Sequence, residues 1–161
     1  MHPNVERVVE AARAAGLAIE VERFPEGTRT AADAARAVGC EVAQIVKSLV
    51  FVAGDRALLA LVSGANRVDL AKLALAVGVD AGTVHRADGD EARAATGFAI
   101  GGVPPFGHAS ALTVLVDGDL AGHERLWAAA GLPDAVFRVT PDDLIRTSGG
   151  RTVDLAEEAA N

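Results

Sequence analysis

"VKSLVFVAGDRALLALVS", Val46 to Ser63, contains two apolar runs joined by Ala53–Gly54–Asp55–Arg56. Gly54–Asp55 is a turn signal, and each flanking run has the length of a strand, so the stretch predicts a β-hairpin. Both runs are apolar on both faces, which places the hairpin at the centre of a covered sheet. Helical and strand patterns alternate irregularly around it. A hairpin within such an order predicts a mixed α/β (α+β) layer fold and not a doubly wound parallel sheet.

The pattern continues in both directions. Upstream, Asn4 is placed to cap a helix with Val5, Val8, Val9 and Ala12 on its apolar face, and Gly16 stops it. Leu17, Ile19 and Val21 alternate with Glu20 and Glu22, which predicts a strand with one wet face. Thr30 and Asp33 form a capping-box pattern for a helix ending at Gly39, and Glu41–Gln44 reads as one more helical turn. Downstream, a helix over Arg67–Val77 ends at Gly78, and Asp88 with Glu91 caps a short helix ending at Gly97. Ala111–Asp117 reads as a strand, Gly122–Ala130 as a helix stopped by Gly131, and Ala135–Thr140 as a strand. Thr140, Pro141 and Asp143 open a last helix, followed by the turn Ser148–Gly149–Gly150 and a short extended piece.

With 161 residues, the chain is expected to form a single domain over 1–161. It is 50% hydrophobic and 23% charged, a globular composition. No apolar run reaches the roughly 20 residues of a membrane span, and the N-terminus lacks a signal-peptide core, so the cytoplasm is the expected location. Cys40 is the single cysteine, which excludes an internal disulfide and a cysteine-rich metal site. The net charge of −7 argues against broad wrapping of nucleic acid, but not against a local basic patch that touches one end of an RNA.

"TGFAIGGVPPFGH", Thr96 to His108, raises the functional question. It suits neither helix nor strand, yet it is too apolar for a solvated linker. Val103 and Pro104 each precede a proline and are pushed to extended geometry, and neither proline donates a hydrogen bond. Gly101, Gly102, Val103, Phe106 and Gly107 keep their N–H groups, and glycine allows a ligand to approach the backbone closely. The combination is a stiff wall with available amides, of the kind that oxyanion stabilisation uses. An ordinary crossover loop has the same residue types.

Lys47 begins an apolar strand on the face of Leu49 and Phe51. Spacing alone favours snorkelling at the strand end; the functional reading is a cation at a pocket mouth. His108 abuts the glycine-rich stretch and can serve as acid or base, although a plain loop histidine is the commoner case. His2, His85, His108 and His123 show no metal-ligand spacing, so no metal is expected. No phosphate loop or dinucleotide fingerprint is present, so no nucleotide cofactor is expected.

The landmarks VERF, QIVKSLVFV, VDLAKLALAVG, TGFAIGGVPPFG and SGGRTVDL, in that order, resemble the YbaK/EbsC/ProX family. These are free-standing aminoacyl-tRNA deacylases related to the editing domain of bacterial prolyl-tRNA synthetases. The resemblance runs from about Leu17 to Asp154. It implies a curved mixed sheet surrounded by helices, with one pocket, and hydrolysis of the ester between a wrong amino acid and its tRNA. The family's lysine falls on Lys47, its G-x-x-x-P motif on Gly101 and Pro105, and its aspartate on Asp154. Phe24 stands where many members carry tyrosine, and Pro104 where they carry serine.

The resemblance thus implies Lys47 and Gly101 as catalytic residues. Phe24, Ser48, Gly102, Val103, Pro105, Gly107, His108 and Asp154 are the expected substrate-binding residues. The expected partners are the acceptor end of a mischarged tRNA, charged with a small amino acid such as Ala, Cys or Ser and most readily tRNA-Pro, together with prolyl-tRNA synthetase. Lys47, Arg67, Lys72 and Arg151 are the expected tRNA contacts. Monomer and homodimer both remain open, as does a non-catalytic binding module of the same fold.

Overall fold

The hairpin forms as its spacing predicts. Val46–Ala53 (β2) and Arg56–Ser63 (β3) pair antiparallel along their whole length, from Val46 opposite Ser63 to Ala53 opposite Arg56. Val84–Arg86 (β4) adds antiparallel to the outer edge of β2. Thr113–Asp117 (β5) runs parallel to β3, and Arg151–Val153 (β8) runs parallel to β5. The sheet order is therefore β4-β2-β3-β5-β8, with β3 at its centre. The computed structural model describes residues 1–24 and 30–158. The expected single-domain span of 1–161 also takes in 25–29 and 159–161, which lie outside the described residues.

Both faces of the hairpin are covered. On one face Val50, Leu59 and Leu61 join Val5 and Val8 of the first helix, Pro3–Ala14 (α1), and Phe98, Phe106 and Phe137. On the other, Phe51, Leu58, Ala60 and Val62 pack with Leu73 and Ala74 of Leu70–Val77 (α3) and with Leu155. Leu58, Leu59 and Leu61 are completely buried, each contributing roughly 1.5–3 kcal/mol of apolar burial. Three further helices complete the layers: Ala31–Val38 (α2), Gly89–Thr96 (α4) and Pro141–Ser148 (α5).

The mixed α/β expectation holds, but the strands divide into two sheets. Val21–Arg23 (β1), Ala135–Val139 (β7) and Leu126–Ala129 (β6) form a separate antiparallel sheet in the order β1-β7-β6. An isolated parallel bridge, Ile45 to Trp127, links the start of β2 to β6.

Three local expectations are corrected. The cap of α1 is His2, whose Nδ1 accepts the Asn4 N–H, so Asn4 lies inside the helix. The strand predicted from Leu17 is confined to Val21–Arg23, where β7 supplies its partner. The helix predicted over Gly122–Ala130 is instead a 3-10 turn, Gly118–Gly122, followed by β6. Leu126, Ala128 and Ala130 are buried in strict alternation. Pairing with β7 thus overrides the helix propensity of the alanines. Among the described residues no helix is long and apolar enough to cross a membrane.

Candidate functional site

A cavity of about 290 Å³ opens where the two sheets meet. Val46, Lys47, Ser48 and Leu49 of β2 form one side, and Trp127, Ala128 and Ala129 of β6 face them. Ala31 and Ala34 of α2 and the loop residues Ile100, Gly101 and Val103 complete the wall, with Arg86 at the β4 edge. The lining is mainly small and aliphatic, so the cavity suits a compact apolar group with polar atoms at its rim.

The glycine–proline stretch reaches this cavity because it is part of the core. Phe98, Val103 and Phe106 are buried, and the Phe106 ring packs against Phe137 at 5.6 Å between centroids. Buried irregular backbone must be satisfied without a ladder. Thr96 does part of this: its buried Oγ1 donates to Ala92 O at 2.7 Å and accepts the Phe98 N–H at 3.1 Å. The Gly102 N–H donates to Ala99 O at 3.0 Å. The Gly101 and Val103 N–H groups have no intramolecular acceptor among the described residues. At Gly101 the backbone takes φ +92°, which side-chain-bearing residues rarely adopt.

Lys47 lies half-buried, and its Nζ donates to the Asn66 carbonyl. Burial holds the ammonium below the ordinary lysine range. The Arg86 and Arg67 guanidiniums push in the same direction, and Asp117 opposes them. Neither arginine has an ion-pair partner among the described residues. The cavity mouth is thus locally cationic on an acidic protein. Beside Lys47, the buried Ser48 hydroxyl has no hydrogen-bond partner among the described residues.

Lys47, Ser48, Gly101 and Val103 are brought together around one cavity. Gly102 and Pro105 are buried in the same loop without lining it. Gly107 and His108 lie at its far end; His108 Nε2 sits 2.7 Å from Pro104 O. Burial lowers the His108 pKa, and the bond to Pro104 partly offsets this; a carbonyl oxygen can only accept, so Nε2–H is the donor in that bond. Phe24 is half-buried and donates its N–H to Asp134 O, outside the cavity lining. Asp154 is exposed and paired with Lys72 at 3.0 Å. Lys72 also binds Ala156 O and Glu158, and Arg151 binds Ala76 O. Among the described residues no three His, Cys, Asp or Glu side chains are grouped to hold a metal ion.

Sequence reasoning missed Arg86, Trp127, Asn66 and Asp117. Trp127 was assigned to the wrong element, and Arg86 reaches the cavity only through its pairing opposite Phe51. Asp117 left one signal, a carboxylate that ends an apolar strand. Chemically, the site combines a small apolar chamber, a fixed cation at its edge and unengaged backbone N–H groups. That set can hold an acylated, phosphate-bearing substrate.

Residues 25–147 match the model of the aminoacyl-tRNA editing domain family. A Bacillus subtilis (strain 168) protein, described as uncharacterized protein YwhH, is 30% identical over 126 residues, 78% of each chain. The crystal structure of a candidate trans-editing enzyme for prolyl-tRNA synthetase superposes with a TM-score of 0.92 at 47% identity, covering 98% of this chain and 99% of that one. The crystal structure of hypothetical protein APE2540 gives a TM-score of 0.85 at 26% identity, covering 94% and 99%.

Proposed function

The chain belongs to the aminoacyl-tRNA editing domain family and is an aminoacyl-tRNA deacylase, and from that premise we propose that it clears a small amino acid, such as Ala, Cys or Ser, from tRNA-Pro. It acts in trans, in the cytoplasm, alongside prolyl-tRNA synthetase. The observation that carries this reading is the cavity itself: alanine-rich and small, with Lys47 on its rim and Gly101 in its wall. The trans-editing role of the structural relative supports the choice of tRNA.

An aminoacyl ester is already activated, so no strong nucleophile is needed. The amino-acid side chain enters the apolar chamber. Lys47 grips the phosphate beside the terminal adenosine as a point charge. Water adds to the ester carbonyl carbon, and the developing oxyanion is met by the Gly101 N–H, which requires no reorganisation. The bond from that carbon to the ribose oxygen then breaks. The ribose oxygen takes up one proton of the attacking water, the other passes to solvent, and the amino acid departs as its carboxylate. A hydroxyl of the substrate itself orients the water, which fits the absence of a side-chain base lining the cavity among the described residues.

The test is deacylation of tRNA-Pro charged with Ala, Ser, Cys or Pro, by wild type and Lys47→Ala, with thermal melting as a folding control. We expect one or more of the three mischarged species to be hydrolysed, Pro-tRNA to survive, and folded Lys47→Ala to lose most turnover. Wild-type turnover by Lys47→Ala refutes the site. Failure on all three mischarged tRNAs refutes the substrate class.

A further inference from the structure

We propose that Asp117 and Asn66 are positioning residues for Lys47: the buried Asp117 carboxylate anchors the Asn66 side chain, and the Asn66 carbonyl holds the ammonium at the cavity edge. The functional part of this inference rests on the role given to Lys47 above. The physical linkage does not.

Asp117 ends β5 and is 2% exposed. A carboxylate there is costly unless every oxygen is engaged. Its Oδ2 accepts the Ser63 N–H at 3.1 Å and Asn66 Nδ2 at 2.8 Å, and its Oδ1 accepts the Asp119 N–H at 3.0 Å. Asn66 Nδ2 also donates to Asp119 Oδ2 at 2.8 Å. The Asn66 N–H donates to Ser63 O at 2.9 Å, and Ser63 Oγ donates to Ala43 O at 2.8 Å. The turn from Ser63 to Asn66 is therefore pinned at both ends. The Asn66 carbonyl at the end of that turn is the acceptor of Lys47 Nζ.

An amide at 117 could accept from Ser63 and Asn66 through its one oxygen but would turn its Nδ2 toward the Asp119 N–H, so the three donors already call for a carboxylate. The negative charge matters to Lys47, which faces burial, Arg86 from β4 and Arg67 from the loop after β3, all of which disfavour the ammonium. Asp117 is the opposing charge, and the Asn66 side chain that it anchors is also tied to Asp119. The array holds Lys47 in one place, and the Asp117 charge works against the burial and the two guanidiniums that disfavour its ammonium.

The test separates this linkage from turnover. The Lys47 side chain is titrated by NMR in the full-length protein, in wild type, Asp117→Asn and Asn66→Ala. Asn66→Ala keeps the backbone carbonyl but removes its side-chain anchor; Asp117→Asn removes the charge and the acceptor of the Asp119 N–H. Both are expected to lower the Lys47 midpoint. The alkaline limb of deacylation should move the same way, and kcat/KM should fall by up to about 10²-fold, the scale of an ångström-sized misplacement. A role confined to stability would lower Tm and leave the Lys47 midpoint where it was. If Asp117→Asn does not fold, Asn66→Ala decides. An unmoved midpoint in the folded variants overturns the proposal. A midpoint that falls while Lys47→Ala deacylates like wild type upholds the linkage and overturns the catalytic site reading instead.

Discussion

Ile45 and Trp127 form an isolated parallel bridge, and both residues line the cavity. The link between the sheets is therefore also a wall of the candidate site. The Arg138 guanidinium lies over the Trp127 ring at 6.0 Å from its centroid. The bulk of the indole takes up part of the chamber wall. Trp127→Ala should let the enzyme accept proline and larger amino acids, collapsing discrimination worth only about 1–3 kcal/mol per methylene. Because Trp127 is only partly buried, the stability cost should stay below the roughly 3–5 kcal/mol of a fully buried indole. Competition between mischarged and correctly charged tRNA measures the effect; unchanged selectivity would place the size filter elsewhere.

His108 predicts a pH dependence of stability. Burial lowers its pKa in the folded chain, while its bond to Pro104 works in the opposite direction. Between the folded value and the unfolded value near ~6.5, the unfolded chain binds the proton more readily, so stability rises with pH through that window. The contribution is complete above the unfolded value and is lost as pH falls through the folded one. Tm should drop on mild acidification, and His108→Gln, which can still donate to the Pro104 carbonyl, should flatten that drop. An equal acid slope in the variant would assign it to other groups.

The hairpin, all five α-helices of the described residues and three of the four capping residues argued from sequence were legible because their signals are local. A turn dipeptide, a cap three residues before an acidic residue and a glycine stop each act within one segment. Gly122–Ala130 was not legible in that way. Alanine suits a helix in isolation, and only the edge of β7 makes strand geometry preferable there. The cavity was partly legible. Lys47 and Gly101 stood out as a cation and a run of glycines that the local structure did not require. Asn66 and Asp117 look like ordinary loop and strand-end residues until the fold brings them 2.8 Å apart across 51 positions.

Gly101 and Gly102 should fail for different reasons. A Cβ at Gly101 would stand 3.7 Å from Pro133 Cγ, an ordinary contact, but the backbone lies at φ +92°. Gly101→Ala should therefore cost about 1–3 kcal/mol through backbone strain. A Cβ at Gly102 would come within 3.0 Å of Gly131 O and Leu132 Cα, backbone atoms that cannot rotate away. Gly102→Ala should cost about 1–3 kcal/mol through overpacking. Only Gly101 should lose activity beyond its loss of folded protein, measured well below both melting points. If deacylation by Gly101→Ala simply tracks the folded fraction, its N–H plays no part in the reaction.

The salt dependence of tRNA binding should report which cations meet the acceptor end. From sequence, Lys47, Arg67, Lys72 and Arg151 were equal candidates. In the structure Lys72 is occupied by Asp154, Glu158 and Ala156 O, and Arg151 by Ala76 O. Arg86 lines the cavity, and it and Arg67 both act electrostatically on Lys47. The contacts should therefore narrow to Lys47, Arg67 and Arg86. Each phosphate contacted on a single strand contributes about 0.7 to the slope of log K against log salt, so three contacts give a slope of about 2. Arg86→Ala or Arg67→Ala should lower it by about 0.7 each, while Lys72→Ala and Arg151→Ala leave it unchanged. A chain of net charge −7 offers little else to hold the phosphates. A slope above about 4 would require a second basic surface, and a slope insensitive to Arg86 would move the acceptor end away from this cavity mouth.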